Sequence, residues 1–372
     1  MTTIDLDYFN AGGGHRASVA ALETVMREHY PGWTVRPINL FEMLDPHDVF
    51  RRISGMAPED LYNKQLELGL TAGIALQNRM LHATLRLAGG VLQRRLERQW
   101  QQRQPDMVVS LIPHINLIMH NSLRGPLPRV PFVTVLTDMA DYPPNFWMAP
   151  GTAQHVICGT VRACEQAHAM GLPDAQIHRT SGMIVRPDFY GPPPEDPRQG
   201  RIELGLDPAR ATGIVMFGGH GSRAMLEIAR QLSDQQLILM TGRNQALART
   251  LRAQTSGARH LVVEFTPQVR EYMQLADYFI GKPGPGSLSE AVQQRLPVIT
   301  ICNSWTMPQE RYNADWITTG GLGLVVRSAR EIRPAVLELL SGIEDFRSNV
   351  ESVENRAVFE VPAILEQILG AC

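Results

Sequence analysis

Apolar and polar positions follow two periods along this chain, and the two replace each other repeatedly. Ile4 to Phe9 alternates with the period of a strand. It runs into three glycines and His15, and then into ASVAALETVMREHY, whose apolar residues recur at helical spacing. TVRPINL (34–40) reads as the next strand. MVVSLIPH (107–114) and PFVTVLTD (131–138) are near-continuous apolar runs, the mark of strands buried on both faces. HVICGT (155–160) is a further strand, followed by a helix that Gly171 and Pro173 stop. After residue 212 the same alternation returns, with strands at 213–219, 236–242, 260–265, 277–281, 297–301 and 323–326 and helical sequence between them.

Strand and helix in strict alternation predict an α/β protein with parallel sheets and helices on both faces. Right-handed crossovers bring the loops after the strands to one edge of each sheet. In the second half those loops carry Gly218 and Gly219, Gly242 to Asn244, Phe265 and Thr266, and Lys282 to Ser287. The segment RPDFYGPPPEDP (186–197) holds five prolines and suits neither helix nor sheet. It divides the chain into an N-terminal domain (1–190), a linker (191–198) and a C-terminal domain (199–372), each long enough to bury its own core.

Composition narrows the picture by exclusion. Lys plus Arg number 35 against 37 Asp plus Glu, a net charge of −2, so no global attraction to nucleic acid is expected. The four cysteines show no C-x-x-C spacing, which predicts reduced thiols rather than a disulfide framework or zinc site. The first residues lack the pattern of a secretory signal, and no stretch has the length of a spanning helix.

Two glycine-rich stretches carry the chemistry. GKPGPGSLSEA (281–291) follows a buried strand and turns into helical sequence near Leu288, with Ser287 as a candidate N-cap and Glu290 completing a capping box. A glycine loop at a helix N-terminus presents backbone N–H groups and the positive end of the helix dipole, which favours a phosphate; the alternative is a rigid turn with an ordinary cap. Near the other end, Gly12, Gly13 and Gly14 precede His15, an imidazole placed to reach a ligand above the loop. The dinucleotide fingerprint is incomplete, because strand 34–40 ends in Asn39 and no carboxylate follows until Glu42. Asp5 and Asp7 form an Asp-x-Asp, read as the polar face of a strand rather than a metal site. His114 and Asp138 close two buried strands, where active-site groups of open α/β sheets gather. Asp138 leads into MADYPPNFWMAPG, a loop rich in proline and aromatics and long enough to shape a pocket.

Residues 59–104 read as helical, with Gly69, Gly73, Gly89 and Gly90 as breaks. Between Leu70 and Gln104 stand Arg79, Arg86, Arg94, Arg95, Arg98 and Arg103 against the single carboxylate Glu97. Such a stretch (79–103) fits an anionic membrane surface, or equally a helix packed on its own domain with a solvated basic face.

GGGHRAS (12–18), TGRN (241–244), GKPGPGSLSEA (281–291) and PQERYN (308–313) together resemble the monogalactosyldiacylglycerol synthase family and its bacterial relatives that glucosylate diacylglycerol. They resemble more distantly the N-acetylglucosaminyltransferase of peptidoglycan synthesis. The resemblance covers almost the whole chain in order. It implies the glycosyltransferase B fold, two Rossmann-like domains facing across a cleft, with a UDP-hexose donor, a lipid acceptor such as diacylglycerol, inversion at the anomeric carbon, no metal and no cofactor. It implies that Gly14, Gly219, Arg243, Phe265, Gly284, Gly286, Ser287, Glu290, Gln309 and Glu310 bind the donor. Glu290 would accept the ribose hydroxyls, Gln309 and Glu310 would bind the sugar, and His15 or Asp138 would be the catalytic base. It further implies a cytoplasmic protein held peripherally at the inner face of the cell membrane. Asn10, Ala11 and His220 depart from the family's usual residues in the two loops that would approach the acceptor. Two other readings stand beside this one. The first is a catalytically silent protein that binds a nucleotide-sugar or a membrane. The second is a UDP-sugar 2-epimerase of the same architecture.

Overall fold

A computed structural model describes residues 1–10, 14–44, 74–142, 145–255, 257 and 259–371, with the side chains of 74–88 set aside. Gly12 and Gly13, the expected helix at 59–73 and the side chains of Arg79 and Arg86 fall outside it. The chain forms two compact units. One comprises Met1–Pro187, Met307–Gln309 and Asn355–Cys372; the other comprises Asp188–Thr306 and Glu310–Glu354.

The first unit is built on a six-stranded parallel sheet: β1 (Thr2–Tyr8), β2 (Trp33–Asn39), β3 (Met107–Ser110), β4 (Phe132–Val135), β5 (His155–Cys158) and β6 (Ile177–Arg179). Their spatial order is β2-β1-β3-β4-β5-β6. The direction in which successive strands are added reverses between β1 and β3, the topological switch point where ligands of open α/β sheets bind. β1 is buried on both faces. Ile4 and Leu6 enter the core on one side, and Asp5 and Asp7 are fully buried on the other. The pair does form one polar face of the strand, as read, and that face is buried. Asp5 is neutralised by Arg36 Nε at 2.5 Å and Arg103 Nε at 3.1 Å. Neither oxygen of Asp7 has a hydrogen-bond partner among the described residues. Burial, then the neighbouring Asp5 charge, raise its pKa well above the usual carboxylate range.

Helix Ile74–Arg103 runs unbroken through Gly89 and Gly90, against the expectation that these glycines interrupt it. Leu96 and Trp100, one turn apart, are fully buried in a core with Leu40, Val108, Ile112, Met119 and Leu123. In the described part of this helix, the apolar face therefore serves its own domain.

The second unit repeats the scheme with β7 (Thr212–Met216), β8 (Gln236–Gly242), β9 (His260–Glu264), β10 (Tyr278–Gly281), β11 (Val298–Ile301) and β12 (Gly323–Val326). The order β12-β11-β10-β7-β8-β9 is the Rossmann order, with its switch point between β7 and β10. Val215, Leu237, Leu239, Ile280 and Ile299 from the strands pack with Met225, Ile228, Leu251, Val336 and Leu339 from the helices.

The domain limits differ from those read in the sequence. The linker ends in helix Pro197–Glu203, which starts with Pro197 in its first turn and the Asp196 carboxylate accepting from the Arg198 N–H. Buried Arg201 ties that helix into the second unit through Leu275 O and Asp277 Oδ2, both at 2.8 Å. Residues 355–372 leave the second unit and pack in the first. Glu360 Oε2 accepts from the N–H and hydroxyl of Ser181 at 2.7 and 2.9 Å, and Asn355 Nδ2 donates to Met183 O at 2.9 Å. Any side chain at Gly182 would collide with Asn355, because a Cβ there would lie 2.6 Å from its Cγ. No helix among the described residues is long and apolar enough to cross a membrane.

Candidate active site

In the first unit, the loops after β1, β3 and β4 bring His15, Leu111, Thr137 and Asp138 to the same edge of the sheet. Helix Gly14–His29 begins earlier than its sequence suggested, so His15 stands in its first turn rather than in the loop. Thr137 Oγ1 lies 3.0 Å from His15 Nδ1. Burial lowers the His15 pKa to about 4, and a hydrogen bond to the Leu111 backbone only partly offsets it. The imidazole is therefore neutral at physiological pH and can accept a proton. Asp138 and His15 are joined by Trp147. The indole N–H donates to Asp138 Oδ2 at 2.9 Å, and its ring centroid lies 5.7 Å from that of His15. Trp147 is fully buried in the loop after β4. His114 packs on the loop after β4. It adopts a left-handed backbone (φ 72°), its N–H donates to Phe146 O, and its ring packs edge-on against Phe146, so it holds the loop.

In the second unit, the loops after β7, β8 and β10 meet. Gly242 has φ 60°, and a Cβ there would lie 2.2 Å from Gly219 O. Only glycine permits this approach, which lets the Arg243 N–H donate to Gly219 O at 2.8 Å. The Arg243 guanidinium lies 3.9 Å above the ring of Phe265, which is 54% exposed, so the two form a flat cationic platform.

Helix Pro285–Gln293 starts at a different place from the one expected. Its N-cap is Gly284, without a side-chain cap, and Pro285 occupies the first helical position, where a missing N–H costs nothing. Ser287 is not the N-cap. Its hydroxyl donates to Gly284 O at 3.3 Å, so no capping box forms and Glu290 has no part in one. Gly286 has nothing within 4 Å of its Cβ position, and the first-turn N–H groups beside it are the donors that a helix leaves unmatched. Lys282, at the root of this loop, donates from Nζ to Glu310 Oε1 at 2.7 Å. Buried Asn313 donates to Pro283 O at 2.7 Å, so the segment 310–313 is bound to the glycine loop twice. Gln309 groups with the first unit; its Oε1 is buried with no hydrogen-bond partner among the described residues.

The structure thus gathers Gly219, Arg243 and Phe265 in one place and Gly284, Gly286, Ser287 and Glu310 in another, both on the strand-end edge of the second sheet. It adds Thr137, Trp147, Lys282 and Asn313, which the sequence reading did not single out. Lys282 and Trp147 lie inside stretches already marked as loop and pocket, and charge and ring size were the signals available there.

Residues 214–367 match the glycosyltransferase family 28 C-terminal domain. The chain has the glycosyltransferase B fold. Crystal structures with this fold include MurG of Acinetobacter baumannii, with TM-score 0.65, 11% identity and coverage of 99% of this chain and 100% of that one. The UDP-GlcNAc 2-epimerase of Neisseria meningitidis superposes with TM-score 0.58, 12% identity and full coverage of both chains. In sequence, the chain is 28% identical over 356 residues to a probable monogalactosyldiacylglycerol synthase 2 of Oryza sativa subsp. japonica, spanning 87% of this chain and 70% of that protein. It is 26% identical over 389 residues to monogalactosyldiacylglycerol synthase 2 of Arabidopsis thaliana, spanning 96% of this chain and 79% of the relative.

Proposed function

We propose that this protein is an inverting hexosyltransferase that moves a hexose from a UDP-hexose to the hydroxyl of a lipid acceptor, diacylglycerol. The observation that carries this reading is the loop Lys282–Ser287 at the switch point of a family 28 domain. An amino group, a glycine-rich turn and an open helix N-terminus converge there, a set suited to a diphosphate leaving group. Glu290 accepts the ribose hydroxyls, Arg243 and Phe265 hold the base, and Gln309 and Glu310 bind the sugar. His15 removes the acceptor proton, and the resulting oxygen attacks the anomeric carbon from the face opposite UDP. Lys282 and the helix N-terminus neutralise the departing diphosphate, so the reading requires no metal. The protein works peripherally at the inner face of the cell membrane, with Arg94, Arg95 and Arg98 toward anionic lipid; all three are exposed.

A UDP-sugar 2-epimerase is the second reading, since one such enzyme shares the fold. The two separate in one experiment on purified protein with UDP-hexoses, UDP-GlcNAc and diacylglycerol vesicles. UDP release that needs both a UDP-hexose and diacylglycerol supports transfer. Conversion of UDP-GlcNAc without acceptor supports epimerisation.

A further inference from the structure

Asp141 is a buried carboxyl that the proposed reaction leaves unused. It lies in the loop after β4 and is 3% exposed. Its Oδ1 accepts the backbone N–H of Trp147 at 2.7 Å, while Oδ2 is buried with no hydrogen-bond partner among the described residues. Its own backbone is clamped by one side chain. Gln166, on helix Val161–Ala169, donates from Nε2 to Asp141 O and accepts from the Asp141 N–H, each at 2.8 Å. The other end of Trp147 is fixed as well, because Asn116 Nδ2 donates to Trp147 O at 2.7 Å. Both backbone groups of Trp147 are thus held, and its indole lies against Asp138 and His15.

We propose that Asp141 is a positioning residue for the transfer reaction: it fixes Trp147, and Trp147 fixes the carboxylate of Asp138 and the ring of His15. The proposal rests on the reading of His15 and Asp138 as the acceptor-side groups.

The energetics point the same way. Burial pushes the Asp141 pKa up to about 7, against the pull of backbone hydrogen bonds from Trp147, Phe146, Tyr142 and Met148. The thiol of Cys158 faces it from β5, and the Gln166 amide faces it from helix Val161–Ala169. A carboxyl whose folded pKa is raised favours the fold while protonated. That contribution is complete below the unfolded pKa of about 4 and is lost as pH rises through about 7. At pH 8 the ionised group therefore destabilises the fold, and what it gains there is a charge-assisted hold on Trp147. Supporting a catalytic group through such a second layer is how a side chain is kept within its working geometry.

The test follows the indole N–H resonance of Trp147 by NMR, assigned with Trp147→Phe, between pH 5 and 9. In the wild type it should shift with a midpoint near pH 7. In Asp141→Asn, which keeps an acceptor oxygen but cannot ionise, the transition should vanish. Asp141→Asn should lower kcat about tenfold at pH 8, the size expected when a charge-assisted hydrogen bond becomes a neutral one, with KM for the UDP-hexose unchanged. A Trp147 resonance that ignores pH in the wild type, or an Asp141→Asn variant with wild-type kcat at every pH, overturns the proposal. The wild-type titration needs no foldable Asp141 variant and no sugar transfer. It therefore stands or fails separately from the proposed activity.

Discussion

Lys282 Nζ lies 2.7 Å from Glu310 Oε1, so a cation at the foot of the glycine loop is held by a carboxylate proposed to bind the sugar. Glu310 is buried and Lys282 about one-third exposed, which leaves the amino group able to turn toward a phosphate. Lys282→Met should weaken UDP binding about ten- to hundredfold, as expected for the loss of a hydrogen bond to a charged group. Glu290→Ala should weaken it to a similar degree. Calorimetric titration with UDP reads both variants, and unchanged affinity in both would remove the donor assignment.

His15 should act as the base well into acid. Its pKa is lowered to about 4, so the neutral form needed to accept a proton persists down to that pH. The acidic limb of kcat/KM should fall near pH 4 rather than near the ordinary 6.5. For stability the sign is the same: the contribution is complete above pH 6.5 and is lost as pH falls toward 4. His15→Ala should lower turnover by about 10²–10⁴-fold with little change in UDP affinity. If Asp138→Asn abolishes activity while His15→Ala keeps most of it, the base is Asp138.

Burial and then the charge of Asp5 raise the pKa of Asp7 well above the usual carboxylate range, so the folded protein favours its protonated form. A raised carboxyl pKa contributes stability that is lost as pH rises from the unfolded value of about 4 through the folded one. Asp7→Asn has the same shape and cannot ionise. Its melting temperature relative to wild type should increase with pH across that window. A variant less stable than wild type by the same margin at every pH would mean that Asp7 is held as a charge.

The alternation of strands and helices was enough to place eleven of the twelve strands among the described residues, because buried parallel strands are written as continuous apolar runs. The exception, Ile177–Arg179, is three residues long, lies at the edge of its sheet and has no apolar run. Gly89 and Gly90 read as breakers, yet tertiary packing of Leu96 and Trp100 carries the helix past them. The N-cap at Gly284 was hidden for a similar reason: Ser287 and Glu290 have the right spacing for a capping box, but Pro285 already fits the first helical position. The donor loop was legible because glycine and proline act locally. The hold of Trp147 on Asp138 and His15 was not, since it joins β1 to the loop after β4 across more than a hundred residues.

Arg94, Arg95 and Arg98 are exposed, whereas Arg103 is partly buried and pairs with Asp5. Each basic residue near an anionic surface contributes about 1 kcal/mol, screened by salt. The protein should sediment with vesicles containing anionic lipid at low salt and be released at high salt. Replacing all three arginines with Gln should reduce that binding and leave UDP affinity unchanged. Equal sedimentation of wild type and triple variant would remove these residues from the contact.

The product formed from a UDP-hexose and diacylglycerol tests the central claim most directly. Incubation of the purified protein with labelled UDP-galactose or UDP-glucose and diacylglycerol vesicles, followed by mass and NMR analysis of the lipid, reads both transfer and stereochemistry. The account predicts a glycolipid heavier than diacylglycerol by one hexose or more, with the β configuration at the new bond from an α-linked donor. An unchanged lipid pool with either donor, or an α-linked product, would contradict it.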